Sequence, residues 1–264
     1  RRVLFRSVAR MRRIIITGAS SGIGAALARH YAREKYTLGL IARREEHLRQ
    51  LAAGLDTTTE IFPLDIRDSA AMQKAANCFM ERHGCPDLVI ANAGVSTGTL
   101  TELPEDLAAF KAVLDINVLG MVHTFQPFIA PMRAAGRGAL AGIASVAGYR
   151  GLPGAAAYSA SKAAAISYLE SLRVELRSSG INVVTICPGY IDTPMTARNP
   201  YAMPFLLGVD DAAKRIAKII ASGSSFAVLP WQMALVARVL RLLPNWMYDR
   251  LFSDAPRKPR SPAV

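Results

Sequence analysis

The chain has 264 residues, 51% of them hydrophobic, enough to bury the core of one large α/β domain without requiring a second. Its net charge of +12 falls to +3 once Arg1, Arg2, Arg6, Arg10, Arg12, Arg13, Arg257, Lys258 and Arg260 at the two ends are set aside, so the body is nearly balanced and no nucleic-acid partner is expected. Cys78, Cys85 and Cys187 form neither a metal-ligand spacing nor an even framework, and His30, His47, His83 and His123 are scattered, so no metal site and a reducing, cytoplasmic compartment are expected.

In chain order, residues 1–10 precede a Met, lack carboxylates, and are set aside as a tag remnant or disordered basic tail. No signal h-region follows, and no run reaches about 18 uncharged apolar residues. Residues 11–230 are assigned to the α/β domain, 231–254 to an apolar C-terminal helical extension, and 255–264 to a disordered basic tail. Ile14-Ile15-Ile16-Thr17 is a short β-branched run that reads as a strand. It feeds Gly18-Ala19-Ser20-Ser21-Gly22-Ile23-Gly24, after which Ala25 to Tyr31 reads as helix. The glycines run G-x-x-x-G-x-G rather than G-x-G-x-x-G, but the strand-turn-helix context is that of a dinucleotide site. A glycine turn there admits a pyrophosphate close to the backbone, and the helix start offers free amides and a positive dipole end.

Further apolar runs at 37–42, 60–64, 88–91, 139–144, 183–187 and 226–229 read as strands separated by helical stretches. That alternation predicts a Rossmann-type doubly wound parallel sheet with helices on both faces. Gly18, Asn92, Ser145 and Pro188 all fall at or just beyond strand ends, where such sheets bind ligands. At the end of the second strand, where an NAD enzyme of this architecture places an acidic residue on the ribose, stands Arg43. A guanidinium fork suits a phosphate, so NADP(H) is expected in preference to NAD(H), with Arg43 and Ser20 at the 2′-phosphate and Arg44 either helping there or facing solvent. Glu45 and Glu46 fit the first turn of the next helix, where carboxylates are favourable.

Tyr158 and Lys162 are four residues apart, hence on one helix face, and Ser145 lies thirteen residues upstream. The same spacing suits a surface pair, but the trio can also run carbonyl–alcohol chemistry. A free Tyr titrates near about 10, so bringing it close to neutrality takes about 4 kcal/mol of electrostatic help, which a close Lys and a cationic nicotinamide ring can supply.

Taken together, Thr17-Gly18-Ala19-Ser20-Ser21-Gly22-Ile23-Gly24, Asn92-Ala93-Gly94, Asn117, Ser145, Tyr158, Lys162, and Pro188-Gly189 with Thr193 resemble the short-chain dehydrogenase/reductase family, standard-length branch, over nearly the whole chain. The resemblance implies seven strands, and an NADP-linked enzyme acting on CH–OH groups. It makes Tyr158 the acid/base, gives Lys162 the tasks of lowering the Tyr158 pKa and holding the nicotinamide ribose, and has Ser145 position the substrate oxygen. Asn117 corresponds to the Asn that holds a helix irregularity and a proton-relay water. Asp65-Ile66 resembles the adenine contact, Asn92-Ala93-Gly94 the segment along the cofactor, and Pro188-Gly189, Ile191 and Thr193 the segment over the nicotinamide and phosphate. Ala91 replaces an Asn that many relatives carry, a change that touches packing.

Substrate choice is assigned to the loops 146–154 and 194–208. Met195, Tyr201, Met203, Phe205, Leu206 and Leu207 make the second loop apolar, which suits a lipophilic ketone, aldehyde or secondary alcohol. A 3-oxoacyl thioester reductase is the closest rival, for which Arg150 and Arg198 are the loop candidates. A non-catalytic NADP(H)-binding redox sensor shares the fold, although its usual mark is a broken Tyr or Lys. Residues 231–252 mix apolar, aromatic and Arg side chains in a way that suits peripheral contact with a membrane surface, and equally packing onto the body or across a dimer. Similar proteins pair through the helices carrying Asn117 and Tyr158, so a homodimer or tetramer is expected.

Overall fold

The structure, a computed structural model, describes residues 13–260, so the basic segment 1–10 lies outside the described residues. The strands are β1 (Arg13–Thr17), β2 (Thr37–Ala42), β3 (Thr59–Pro63), β4 (Leu88–Ala91), β5 (Gly138–Ile143), β6 (Ile181–Pro188) and β7 (Phe226–Leu229). They form one parallel seven-stranded sheet in the order β3-β2-β1-β4-β5-β6-β7. This is the expected doubly wound arrangement, and each strand falls within two residues of the apolar run that predicted it.

Alternation along β1 shows how the two faces arise. Ile14 and Ile16 point into one core and Ile15 into the other, because successive strand side chains leave opposite faces. Over the first face lie α1 (Gly22–Arg33), α2 (Glu45–Ala53) and α7 (Val209–Ala221), with Leu27, Leu48 and Ile216 fully buried. Over the second lie α3 (Ser69–His83), α4 (Leu107–Leu114), α5 (Gly120–Ala135) and α6 (Ala156–Glu175), with Phe79, Phe125, Phe128 and Leu169 fully buried. The helical run Pro104–Ala135 is long and apolar enough, by length and composition, to cross a membrane. Here Val113, Phe125, Phe128 and Met132 are buried inside the protein, while Leu107 and Leu119 are exposed.

Strand order reverses between β1 and β4: the chain winds outward from β1 through β2 to β3, then returns to β4 and winds the other way. The connections therefore leave a crevice beyond the carboxyl ends of β1 and β4, the switch point at which open α/β sheets bind ligands.

After β7 come α8 (Trp231–Leu242) and α9 (Asn245–Phe252). Arg150 docks them, donating from Nη1 to Leu240 O at 2.8 Å and Leu243 O at 2.7 Å while its guanidinium stacks 4.2 Å from the centre of the Tyr248 ring. The segment expected as a disordered basic tail departs from that reading over residues 255–260. Arg260 donates to Asp106 at 2.8 and 3.0 Å and to Glu105 at 3.0 Å, and Gly98 N donates to Pro259 O at 2.9 Å. The Asp106 carboxylate is almost fully buried, so it demands a cation, and the tail supplies one. Residues 261–264 lie outside the described part.

Candidate active site

The glycine turn is built by close approach as much as by backbone conformation. Gly18 has φ +67°, and a Cβ there would lie 2.7 Å from Ala93 Cα; a Cβ on Gly24 would lie 2.3 Å from Gly18 O. α1 starts after Ser21, whose side chain makes no capping bond, so the first-turn amides are not taken up by a side-chain cap. Thr17 and Asn92 bolt this turn to the end of β4. Asn92 donates its side-chain amide to Thr17 O at 3.0 Å and Gly18 O at 3.3 Å, while Thr17 Oγ1 accepts from Asn92 N and Ala93 N at 3.2 and 3.3 Å.

At the end of β2, Arg44 rather than Arg43 reaches the turn, donating from Nη2 to Ser20 Oγ and Ser21 Oγ, each at 3.1 Å. Arg43 is exposed on the same cavity wall and lies close enough to Asp65 to act on its charge. Asp65 is held below the usual carboxylate range chiefly by its hydrogen bonds from Arg67, whose Nη2 and Nε donate to it at 2.6 and 3.0 Å. Ile66 is fixed through its carbonyl by His123 Nδ1 at 2.9 Å.

Asn117 sits in a π-helical turn, Asp115–Leu119, between α4 and α5, in agreement with the expected irregularity. Its amide donates to Val95 O and to Ser161 Oγ, both at 2.9 Å, and its Oδ1 accepts from Val95 N at 2.8 Å. Both side-chain hydrogens are thus committed, which makes Asn117 a strut between the β4 loop and α6. It does not line the cavity, nor does Gly24, whose task is packing against Gly18.

Ser145 follows β5 in extended conformation, donates to Pro188 O at 3.5 Å and accepts from Ala147 N at 3.1 Å. Tyr158 and Lys162 share the cavity-facing side of α6. Lys162 Nζ is buried, donates to Ile143 O at 2.9 Å and lies 5.8 Å from the centre of the Tyr158 ring. Loss of water pulls its pKa down to about 8. Burial likewise pushes the Cys187 thiol, behind Ser145 and Lys162, up to about 12. Burial also raises the Tyr158 phenol, with a hydrogen bond involving Ser145 acting in the opposite direction. The chain's own groups therefore keep Tyr158 protonated, in contrast to the lowering expected from Lys162.

These residues converge on one cavity of about 770 Å³, at the upper end of the roughly 300–1,000 Å³ typical of ligand sites. Its walls include Gly18, Ser20, Ser21, Gly22, Ile23, Arg43, Asp65, Ile66, Asn92, Ala93, Gly94, Ser145, Tyr158, Lys162, Pro188, Gly189, Ile191 and Thr193. The loop over it is pinned at its base, where Asp192 N donates to Leu207 O at 2.9 Å and Leu207 N to Tyr190 O at 3.0 Å. Of the six apolar side chains that suggested a lipophilic lid, Met195 lines the cavity, and Met195, Phe205 and Leu206 are all exposed. Arg198 reaches the cavity; Arg150, spent on α8, does not.

Sequence reasoning missed Ser96, Ser161 and Lys258. Ser161 stood in plain view beside Tyr158, one turn from the face that Asn117 would meet. For Ser96 and Lys258 no local signal exists, since they are 162 residues apart and come together only in the fold.

A family profile described as short chain dehydrogenase matches residues 12–203. An uncharacterized oxidoreductase of Myxococcus xanthus (strain DK1622) is 38% identical over 242 residues, covering 90% of this chain and 95% of that protein. The 11-beta-hydroxysteroid dehydrogenase A of Sesamum indicum is 27% identical over 273 residues, covering 93% and 77% respectively. Among solved structures, an alcohol dehydrogenase from the archaeon Thermococcus sibiricus, complexed with 5-hydroxy-NADP, superposes with a TM-score of 0.72 at 27% identity and covers 83% of this chain and 96% of that one. The matched residues span β1 to β6, and the chain belongs to the short-chain dehydrogenase/reductase family of oxidoreductases.

Proposed function

We propose that the protein is an NADP(H)-dependent oxidoreductase that interconverts a ketone or aldehyde and an alcohol on a small, largely lipophilic substrate. One observation carries this reading: Ser145, Tyr158 and Lys162 line the same cavity as the glycine turn and the uncapped start of α1. The residues fit a dinucleotide, because the uncapped start of α1 offers free amides to a pyrophosphate and Arg44 stands on the turn beside it. Gly18 to Ile23, Asn92 to Gly94, Asp65, Ile66, Pro188, Gly189, Ile191 and Thr193 would hold it, with Arg43, Arg44 and Ser20 at the 2′-phosphate. When bound, a nicotinamide cofactor supplies or accepts the hydride. Ser145 orients the substrate oxygen, and Tyr158, kept protonated by burial, donates its proton to the oxygen of a carbonyl. Lys162 places a positive charge behind the phenol and stabilises the phenolate left by that transfer.

Support for NADP(H) comes from two guanidinium groups at the end of β2, one already on Ser20 and Ser21, and from the NADP derivative in the Thermococcus relative. Support for a lipophilic substrate comes from Met195 in the wall and from the steroid named for the Sesamum relative. A 3-oxoacyl thioester reductase is the second reading, favoured by Arg198 at the cavity. We also place the protein in the cytoplasm as a homo-oligomer, with peripheral membrane contact through α8.

Fluorescence titration with NADPH and NADH tests the cofactor assignment. Wild type is expected to bind NADPH at least tenfold more tightly, and Arg43→Ala with Arg44→Ala to lose that margin with little change for NADH, since a charge-assisted contact is worth roughly 1.5–3 kcal/mol. Equal affinities in wild type would overturn it.

A further inference from the structure

Residues 258–260 run along the cavity wall as a strap fastened just beyond Lys258. Behind it, Pro259 O accepts from Gly98 N, and Arg260 forks onto Asp106 and Glu105. The approach is close: a Cβ on Gly98 would lie 2.2 Å from Lys258 O, so a larger residue would displace the strap. Held this way, the Lys258 side chain turns inward. It lines the cavity, donates from Nζ to Ser96 Oγ at 2.7 Å, and lies 5.7 Å from the centre of the Tyr158 ring, on which the proton transfer depends.

The chemistry of that ammonium is incomplete. An ammonium has three N–H donors, and among the described residues Ser96 Oγ is its one hydrogen-bond acceptor, with no carboxylate within 4.0 Å. The neighbouring Arg260 is neutralised by Asp106 and Glu105, but Lys258 is not. It is half-buried, and loss of water brings its pKa down to about 8, which leaves it charged near neutrality and in want of an anion. Lys162, the other cation beside Tyr158, also has one acceptor, Ile143 O, but it is buried, whereas Lys258 is half-buried and open to the cavity.

We propose that Lys258 is a specificity-determining residue that binds an anionic group on the carbonyl substrate, a carboxylate above all, so that the enzyme acts on oxo acids with an apolar body in preference to neutral ketones. This deepens the reading of the site as a carbonyl reductase and rests on it. Tyr158 takes the carbonyl oxygen while Lys258, a few carbon atoms away, takes the anion, and the two contacts together orient the molecule for hydride transfer.

The test pairs medium-chain oxo acids with their methyl esters, NADPH oxidation being followed for wild type, Lys258→Met and Lys258→Arg. Wild type is expected to favour the acid, and its acid-to-ester ratio of kcat/KM to fall roughly ten- to hundredfold in Lys258→Met and to recover in Lys258→Arg, as loss of a charge-assisted hydrogen bond requires. The same ratio in wild type and Lys258→Met overturns the proposal. Weakened NADPH binding in Lys258→Met also overturns it, since the lysine would then serve the cofactor phosphates. A larger loss for a phosphate-bearing 3-oxoacyl thioester than for the oxo acid upholds the anion site and assigns the anion to phosphate. Should no carbonyl turn over although NADPH binds, the reductase reading fails, and calorimetric titration of the oxo acid into the NADP-loaded protein decides the lysine separately. Affinity equal in wild type and Lys258→Met then refutes the anion site.

Discussion

Lys162 is an ammonium held where water does not reach, with one carbonyl, Ile143 O, as its hydrogen-bond acceptor. Its folded pKa, about 8, lies below the ordinary value of 10.5, so between these two values the unfolded chain holds the proton and the folded one does not. Stability from this residue therefore rises with pH across that window, and below it the buried charge costs about 3 kcal/mol. Lys162→Met should remove the pH-dependent part while abolishing most turnover. In urea unfolding, the stability of the variant relative to wild type is expected to shrink by about 3 kcal/mol from neutral pH to about pH 10.5. Parallel curves would show that the ammonium is not desolvated. Because Lys258 is present in both proteins, its own titration cancels. A residue kept at that cost points to function, and its identity was legible from the four-residue spacing to Tyr158, which any helix converts into a shared face. Its effect on Tyr158 was not legible, because spacing does not reveal how much water the fold removes from both groups.

α8 has two unlike faces. Met233 and Ala237 are buried, while Trp231, Leu235, Val239 and Leu242 are exposed and follow one another at intervals of four, four and three residues, a single stripe. Leu242 is 83% exposed and Trp246, at the start of α9, 69%, so the stripe continues past the turn. Arg238, Arg241 and Arg250 are exposed near it, which suits an anionic surface. Wild type should co-float with phosphatidylglycerol-containing liposomes at low salt, and Trp231→Ser with Leu242→Ser should remain at the bottom of the gradient. Absence of wild-type flotation at low salt would remove membrane contact from the account. The apolar content of residues 231–252 was evident in the chain; that one face is consumed by docking through Arg150 and Tyr248 was not, since Tyr248 Oη meets Gly151 O across 97 residues of sequence.

At the scale of the whole molecule, the second-face helices leave apolar side chains outside. Leu107 on α4 is 72% exposed and Val174 on α6 is 60% exposed. A second copy covering these helices would bury them and stiffen the element that carries Tyr158. Light scattering on the purified protein should give at least twice 28.5 kDa, and Leu107→Glu with Val174→Glu should lower the mass to that of one chain. A monomeric wild type would refute the pairing.

The amino-acid sequence alone determined the doubly wound sheet, the glycine turn and the Ser145, Tyr158 and Lys162 trio, because each is written in short-range pattern: apolar runs of strand length, glycines at a strand-to-helix junction, and a helical spacing. Tertiary structure decided which arginine meets Ser20 and Ser21, how far Tyr158 is desolvated, and that a C-terminal strap brings Lys258 to the cavity. Those depend on contacts between residues as far apart as Ser96 and Lys258, where the pairing of a buried Asp106 with Arg260 selects one path for the chain out of many. No local pattern encodes such a choice, since it is made by the balance of desolvation and charge in the assembled fold.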